Sequence, residues 1–316
     1  MFYSLLPLLR CPDGGELELS VTREELHAAR NEQDVIEGIL TSKRTGKVYP
    51  ITNGIPRLLP HGYDSDTQSR FEREWKVWGA GSKIYGMDKQ KYKEDLFQRR
   101  SGHTLNDEFF RGKIVLEGGC GHGMAGEILA TSAKEYIGLD LGSGIDVARA
   151  RTKHLPNVHL VQGSILTAPF SDACADVVFS IGVIHHIPDP KSAFQALVRV
   201  NKPGGLLLIW VYPKEGIIWE TVNPTVRAIT TRLPERAVYS LAGALVPLMY
   251  VVQPYAHTRP SENSWRENMQ SLYDWLAPKY QYHYSPEELS QWFKESGYSD
   301  MCSAPTRTGI SGVKGS

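Results

Sequence analysis

A run of glycines near the middle of the chain combines a backbone that can approach a ligand closely with an acidic side chain. The run reads Val115-Leu-Glu-Gly-Gly-Cys-Gly-His-Gly-Met, so that Glu117 is followed by Gly119, Gly121 and Gly123. Glycine adopts positive φ angles and leaves room for a bound group because it has no Cβ. A helix that starts directly after the run would point its N-terminal amides into the same place. The pattern predicts a loop that binds a ligand.

Two histidines and a tyrosine form a second candidate set, on the acceptor side of the predicted site. His185 and His186 follow one apolar run, and Tyr212 ends another. Histidine is suited to proton transfer near neutral pH, so either histidine is a candidate catalytic base. The alternative for the pair is a structural role, in which the rings pack or hydrogen-bond to hold the loop. The other histidines are scattered without metal-ligand spacing, and no metal site is predicted.

These candidates lie at the ends of strands in a strand–helix alternation that begins at Lys113. Continuous apolar strands separated by stretches long enough for crossovers are typical of a parallel sheet covered on both faces. Right-handed crossovers make such a sheet doubly wound, and we expect a seven-stranded, mostly parallel sheet. Five runs predict its buried strands: Lys113-Ile-Val-Leu-Glu, Glu135-Tyr-Ile-Gly-Leu-Asp, Val158-His-Leu-Val-Gln, Asp176-Val-Val-Phe-Ser-Ile and Leu206-Leu-Leu-Ile-Trp-Val.

Other segments flank this α/β unit. Residues 1–60 predict a small β-rich module, since period-two alternation as in Glu16-Leu-Glu-Leu-Ser-Val indicates a half-buried strand. Residues 61–110 predict a helical linker or cap, and the α/β unit itself is expected over 111–316. Within that unit, 214–283 reads as a mostly helical insertion rich in aromatic residues. We expect it to form a lid over a pocket, although some of these residues must form the lid's own core.

Two features of the helical segments have more than one interpretation. Phe71, Trp75 and Trp78 recur at helical spacing, so they either pack on the next domain or cover the pocket, where Trp78 would contact substrate. Residues 237–258 contain no Asp, Glu, Lys or Arg, which reaches the length of a membrane span. Proline and polar residues interrupt the stretch. It therefore favours a buried or substrate-facing helix, or a surface that touches a membrane, over stable insertion.

The glycine run has two family interpretations. Gly121-His-Gly-Met-Ala-Gly matches GxGxxG, the dinucleotide fingerprint, but Gly121 lies four residues past the strand instead of directly after it. The acidic residue followed by GxGxG is better placed, and here the chain resembles the class I S-adenosylmethionine-dependent methyltransferases, type 11. The resemblance is carried by landmarks in order: Glu117 with the glycine loop, Asp140, Gly163-Ser164-Ile165, Pro169-Phe170, Asp176 to Pro190, and Asn201-Lys-Pro-Gly-Gly-Leu.

This resemblance implies the following cofactor contacts. The glycine loop would wrap the methionine part of S-adenosylmethionine, and Asp140 would accept from both ribose hydroxyls, which suits a carboxylate. Ser164 stands where the family usually has an aspartate that accepts from the adenine amine, and a serine accepts more weakly. By the same resemblance, the cofactor site includes Glu117, Gly119, Cys120, Gly121, Gly123, Asp140, Leu141, Ser164, Ile165 and Ile181.

The first sixty residues have a fainter resemblance of their own. Leu9-Arg-Cys-Pro and Gly46-Lys-Val-Tyr-Pro-Ile-Thr-Asn-Gly-Ile-Pro-Arg-Leu-Leu are similar to the zinc-ribbon-like tRNA-methyltransferase activator proteins. Structural zinc needs four thiolate or imidazole ligands, usually from paired CxxC knuckles. Gly14, Ser42 and Thr45 occupy three of those positions and leave only Cys11. We therefore expect the ribbon shape without the metal, stabilised by apolar contacts.

Composition narrows the function classes. The 316 residues contain 35 Lys+Arg and 35 Asp+Glu, and segments 1–60, 61–112, 113–213 and 214–316 are each balanced to within one charge. No segment supplies the basic field that phosphate-backbone binding usually needs. Four dispersed cysteines and the absence of a signal-peptide pattern suit a reducing cytoplasm.

The sequence therefore predicts methyl transfer to a small organic or amphiphilic acceptor, such as a secondary metabolite or a quinone-like or lipid-linked compound. Nucleic acid is an unfavoured partner, and the oligomeric state stays open. The first alternative is an RNA methyltransferase, and the second is a non-catalytic homologue that binds the cofactor.

Overall fold

The computed structural model describes residues 1–60, 88–99, 103, 105–214, 216–252, 264–305 and 308–315. The strands are β1 (Leu17–His27), β2 (Glu32–Ser42), β3 (Val48–Thr52), β4 (Ile55–Leu58), β5 (Ile114–Gly118), β6 (Glu135–Asp140), β7 (Val158–Gly163), β8 (Ala175–Ile181), β9 (Asn201–Trp210), β10 (Tyr298–Ser303) and β11 (Gly309–Lys314). The helices are α1 (Lys89–Glu94), α2 (Asp107–Phe110), α3 (Met124–Leu129), α4 (Gly144–Thr152), α5 (Pro190–Val200), α6 (Ile217–Thr230), α7 (Glu235–Val252), α8 (Trp265–Leu276) and α9 (Pro286–Glu295).

All the described strands belong to a single mixed sheet in the order β1-β2-β3-β4-β7-β6-β5-β8-β9-β11-β10. The expected seven strands are present from β7 to β10, and β4, β7, β6, β5, β8 and β9 run parallel where they pair. The prediction of a seven-stranded sheet was wrong in its count, because the sheet has eleven strands. The reason is the parallel pairing of Arg57 and Leu58 in β4 with Gln162 and Gly163 in β7, which joins the N-terminal strands to the same sheet.

Two hydrophobic cores lie on opposite faces of this sheet, as expected for a doubly wound fold. Alternate strand residues serve the two faces, so that Leu116 joins the core that contains α5 and α9, whereas Val115 joins the core that contains α3 and α4. A capping box begins α9: Ser285 accepts from the backbone of Glu288, and Pro286 is the first helical residue.

The N-terminal module contains two turns, 11–14 and 42–45, at the positions where a zinc ribbon has its knuckles. Hydrogen bonds centred on Asp13 connect them: the Thr45 hydroxyl donates to Asp13 Oδ2 at 2.9 Å. Hydrogen bonds from Cys11, Thr45 and a backbone amide lower the pKa of Asp13 to about 2 despite some desolvation. A charged hydrogen-bond network thus joins the two turns, in addition to the apolar contacts that the sequence predicted.

Ion pairs attach the module to the rest of the sheet beyond the β4–β7 pairing. Arg30 donates to both carboxylate oxygens of Glu135 at 2.9 and 3.1 Å and to the carbonyl of Pro156 at 2.6 Å. Arg57 similarly contacts both oxygens of Asp146 on α4. The module is therefore held to the α/β unit by bidentate pairs, the strongest geometry for such contacts.

Candidate functional site

The glycine loop follows β5 and has the strained backbone that only glycine adopts easily. Gly119, Gly121 and Gly123 have φ angles of +87°, +50° and +78°. A Cβ on Gly119 would lie 2.4 Å from a methyl carbon of Val183, and one on Gly123 would lie 2.8 Å from the Cβ of Ala148. Both distances are too short for real atoms, so close packing as well as φ requires glycine at these two positions.

Asp140 at the end of β6 connects the loop to the neighbouring strand. Its Oδ2 accepts the backbone N–H of Gly121 at 2.7 Å, and its Oδ1 accepts that of Gly142 at 2.7 Å. Burial raises the pKa of Asp140, and the two N–H donors oppose this shift. A carboxylate oxygen can accept more than one hydrogen bond, so both oxygens keep capacity for hydroxyl donors of a ligand.

Two other predicted site residues near the loop are directed into the core. Glu117 is 5% exposed, and its carboxyl accepts the hydroxyl proton of Tyr136. Burial raises the pKa of Glu117 to about 8, against the effect of the Tyr136 hydrogen bond, so the group is mostly neutral at pH 7. Burial also raises the pKa of the Cys120 thiol, and the nearby carboxyls of Asp140 and Glu117 act in the same direction. The backbone N–H of Cys120 donates to the Leu139 carbonyl at 3.0 Å.

The remaining predicted cofactor residues end three parallel strands at the same edge of the sheet. Ser164 begins a turn after β7, where its hydroxyl accepts from the amide of Leu166 at 3.2 Å. Ile165 is 5% exposed, and Ile181 ends β8 half-buried. The carbonyl of Leu141 accepts from Gln162 at 3.1 Å. All lie at the carboxyl ends of strands, which is where open α/β sheets bind ligands.

The two predicted histidines form a short helical turn after β8, next to the glycine loop through Val183. His185 is fully buried, and its ring lies 4.1 Å from those of both His186 and Tyr212, between ring centroids. His186 Nδ1 lies 2.9 Å from the carbonyl of Tyr280, so this nitrogen carries the proton. Burial lowers the pKa of His186 to about 4 and that of His185 well below its ordinary value, so both rings are neutral at pH 7.

A return segment, residues 280–284, brings the end of the insertion back to these groups. The amide of Tyr282 donates to the His185 carbonyl at 3.0 Å, and that of Tyr284 donates to the Tyr212 carbonyl at 3.0 Å. The sequence-predicted His185, His186 and Tyr212 are therefore brought together, with the insertion packed against them.

Residues 116–209 match the family model of the methyltransferase domain, and residues 3–54 match the model of Trm112p-like protein. Each match covers less than half of the chain. Both resemblances inferred from the sequence are confirmed.

Curated relatives agree with the methyltransferase domain. A probable S-adenosylmethionine-dependent methyltransferase of Mycolicibacterium smegmatis is 37% identical over 31% of this chain and 37% of its own length. Phthiotriol/phenolphthiotriol dimycocerosates methyltransferase 1 of Mycobacterium ulcerans is 38% identical over 44% of this chain and 60% of its own. Demethylmenaquinone methyltransferase of Renibacterium salmoninarum is 27% identical over 60% and 68%. The chain spans less than two thirds of the first two relatives.

Two polar residues near His185 and His186 belong to no sequence pattern that singles them out. His283 lies in the return segment, and its Nδ1 is 2.8 Å from the carboxylate of Glu220 on α6. The ring of His283 is 6.3 Å from that of Tyr212. No spacing pattern relates two residues that are 63 positions apart. A histidine within the insertion predicted to cover the site was nevertheless a signal that could have identified His283.

The insertion's aromatic residues have several environments. Tyr239, Tyr273 and Trp275 pack in a core of the insertion itself, between α7 and α8, and Trp265 is 53% exposed. Trp78, predicted to contact substrate, lies outside the described residues together with the rest of its aromatic stripe.

Within the described part of the chain, no helix combines the length and apolar character needed to cross a bilayer.

Proposed function

We propose that this protein transfers a methyl group from S-adenosylmethionine to a small organic or amphiphilic acceptor. The observation that carries the proposal is the Asp140 carboxylate, held by the amides of Gly121 and Gly142 beside a glycine-rich loop. This arrangement fits a ribose diol next to a backbone cradle. S-adenosylmethionine supplies an electrophilic methyl group on a sulfonium, and the protein's main task is to position an acceptor in line with it.

The residues at the strand ends can hold the parts of that molecule separately. The glycine loop would contact the methionine part through its backbone, and Asp140 would accept from the ribose hydroxyls. Ser164 and Ile165 would lie at the adenine, with the serine as a weaker acceptor than a carboxylate. Leu141, Ile181 and Cys120 would border the same space. Glu117 would act through the loop, since its own carboxyl is bonded to Tyr136.

The acceptor class is inferred from the other half of the site. His185, His186 and Tyr212 supply polar groups, and the insertion above them is largely apolar. The M. ulcerans and R. salmoninarum relatives are named for a lipid-linked and a quinone substrate, respectively. Together with the balanced charge, these observations support a quinone-like, lipid-linked or other amphiphilic acceptor in the cytoplasm.

An RNA acceptor is the second candidate, because residues 3–54 match the Trm112p-like model and the resemblance is to activators of tRNA methyltransferases. One experiment separates the two. The protein is incubated with methyl-labelled S-adenosylmethionine and an extract of the source organism, and RNA, protein and organic-soluble fractions are counted. We expect label in the organic fraction. Label in RNA that is lost on nuclease treatment would replace the proposal with the RNA alternative.

A non-catalytic role is tested by binding. Titration with S-adenosylmethionine in a calorimeter should give a saturable signal, and no detectable binding would reject both enzyme proposals.

A further inference from the structure

A histidine–carboxylate pair lies within the insertion, between α6 and the return segment, and neither residue is among the predicted cofactor contacts. Glu220 accepts from His283 Nδ1 at 2.8 Å. An ionised carboxylate only accepts hydrogen bonds, so Nδ1 is the donor, and in the Nδ1–H tautomer of imidazole the lone pair lies on Nε2. Asn223 Nδ2 lies 3.5 Å from Nε2, at the outer limit of a hydrogen bond. Nε2 is therefore available as a proton acceptor.

The position of His283 places it at the ligand-binding edge of the sheet. Its two chain neighbours donate their amides to the carbonyls of His185 and Tyr212, which follow β8 and β9 directly. Val183, two residues before His185, contacts Gly119 of the glycine loop. A continuous series of contacts thus leads from the loop to His283.

Buried polar atoms around this pair lack partners among the described residues. Both ring nitrogens of His185 have no hydrogen-bond partner there, although the side chain is fully buried. Oδ1 of Asn223 has none either, and this residue is 4% exposed. Nε2 of Gln281 is also unpartnered. Buried polar groups are nearly always hydrogen-bonded, so these atoms can accept or donate to the polar group of a bound molecule.

The charge and hydrogen-bonding capacity of these side chains indicate which chemical group of a ligand fits them. Burial keeps His185 and His186 uncharged at pH 7, and neither Asn223 nor Gln281 carries charge. A neutral group that both donates and accepts hydrogen bonds fits these four side chains. A hydroxyl has this property.

We propose that the acceptor binds through a hydroxyl group, is methylated on that oxygen, and loses its proton to His283, which Glu220 orients. The inference rests on the proposed methyl-transfer function. The acceptor oxygen bonds to the methyl carbon while the carbon–sulfur bond breaks and its electron pair stays on sulfur. The hydroxyl proton passes to Nε2 of His283, and the imidazolium, stabilised by Glu220, later releases it to water. His283 is thus the catalytic base and Glu220 a positioning residue.

The pair can be tested without any acceptor by nitrogen and proton NMR of the histidine rings. The signals of His283 are those lost in His283→Asn, with exposed His154→Asn as the matched control for assignment. We expect wild-type signals of the Nδ1–H tautomer. Glu220→Gln should weaken the hydrogen bond from Nδ1–H, seen as an upfield shift and faster solvent exchange of that proton, because an amide oxygen accepts more weakly than a carboxylate. An unchanged Nδ1–H signal or the opposite tautomer would overturn the assignment of the pair.

The site of methylation is tested on the product labelled from an organic extract. Hot hydriodic acid releases an ether methyl group as volatile methyl iodide and leaves a carbon-bound methyl group in place. We expect volatile label, and label that stays with the carbon skeleton would overturn O-methylation. Failure of wild-type protein to label the organic fraction at all would instead reject the proposed function, and the acceptor chemistry with it.

The roles of the two residues are tested by rate and affinity together. His283→Asn should reduce labelling about 100-fold or more, with unchanged affinity for S-adenosylmethionine. His283→Gln serves as a second variant if the first does not fold. Glu220→Gln should lower the labelling rate with unchanged affinity for S-adenosylmethionine, and it should add little to His283→Asn in the double variant, which loss of a purely structural contact would not do. A wild-type rate in both histidine variants, or effects that simply add in the double variant, would contradict the assigned roles.

Discussion

The backbone N–H of Gly121 donates to the carboxylate of Asp140 over 2.7 Å, and this bond connects the glycine loop to the end of the neighbouring strand. The same carboxylate accepts the amide of Gly142. One side chain therefore both fixes the shape of the loop and presents acceptor oxygens beside it. Effects of changing Asp140 combine these two roles, so the predictions below use paired variants.

Asp140→Ala should weaken binding of S-adenosylmethionine about 100-fold while the circular dichroism spectrum stays that of the wild type. The variant loses the acceptors proposed for the ribose hydroxyls and releases two loop amides. Asp140→Asn keeps an acceptor oxygen for one amide but loses the charge, so it should fall between wild type and alanine. Calorimetric titration measures all three affinities. Unchanged affinity in Asp140→Ala would reject the ribose role.

Gly119→Ala should destabilise the fold by more than backbone strain alone. A Cβ there would overlap the methyl groups of Val183 at 2.4 and 2.6 Å, in addition to the strain of a φ of +87°. Gly204→Ala is the matched control, since its φ is +72° and no atom lies within 4 Å of the added Cβ. We expect about 1 kcal/mol for the control from strain alone and at least about 2 kcal/mol more for Gly119→Ala.

Urea unfolding measures this difference, and a double variant identifies its source. Val183→Gly removes the colliding atoms, so Gly119→Ala with Val183→Gly should cost less than the sum of the two single changes. Strictly additive effects would show that the collision with Val183 is not the cause.

The local elements of the α/β unit could be predicted from the sequence because each depends on neighbouring residues. The apolar run Glu135-Tyr-Ile-Gly-Leu-Asp matches β6 at both ends. The glycine loop was found because its φ angles require glycine. Patterns of period two, period 3.6 and fixed spacing contain this information directly.

Long-range pairings could not be predicted in the same way. Ile55-Pro-Arg-Leu is too short to show alternation, so neither β4 nor its parallel pairing with β7 was expected, and the strand count was wrong. His283 and Glu220 are a single histidine and a single acid among many, and their meeting depends on how the insertion folds back. A sequence pattern does not show which distant residues meet when the chain folds.

Glu117→Gln should stabilise the protein relative to wild type by an amount that grows with pH. The pKa of Glu117 is raised from 4.5 to about 8, chiefly by burial, so the folded state holds a proton that the unfolded chain has lost. Wild-type stability therefore falls as pH rises from about 4.5 to 8, by about 1.4 kcal/mol per pH unit, and glutamine lacks this dependence. Urea unfolding at pH 5 and pH 8 measures the change.

The control for this pH dependence is Glu18→Gln, at an exposed position on β1. Its difference from wild type should be the same at both pH values. If Glu117→Gln behaves like this control, the folded protein holds Glu117 ionised and the proposed neutral Glu117–Tyr136 pair is rejected.

Arg30→Met should destabilise the attachment of the N-terminal module by about 2 kcal/mol at pH 7. Among the described residues, Glu135 would then keep only its hydrogen bond with His159, and side chains that are 14% and 15% exposed gain little from water. The value lies below the 3–5 kcal/mol of fully buried pairs because both side chains retain some exposure. Lys191→Met is the matched control, since its pair with Glu295 is on the surface and should contribute less than about 1 kcal/mol.

The cost of Arg30→Met should also depend on pH in a defined direction. Although burial acts to raise it, hydrogen bonds from His159 and Arg30 lower the pKa of Glu135 from 4.5 to about 2. A lowered carboxyl pKa contributes stability above about pH 4.5 that is lost as pH falls toward 2, when the group becomes protonated. The difference between wild type and Arg30→Met, measured by urea unfolding at pH 7, 4.5 and 3, should therefore shrink at the lowest pH. A difference that stays constant, or that equals the Lys191→Met control, would mean that β4–β7 pairing and apolar contacts hold the module without help from this ion pair.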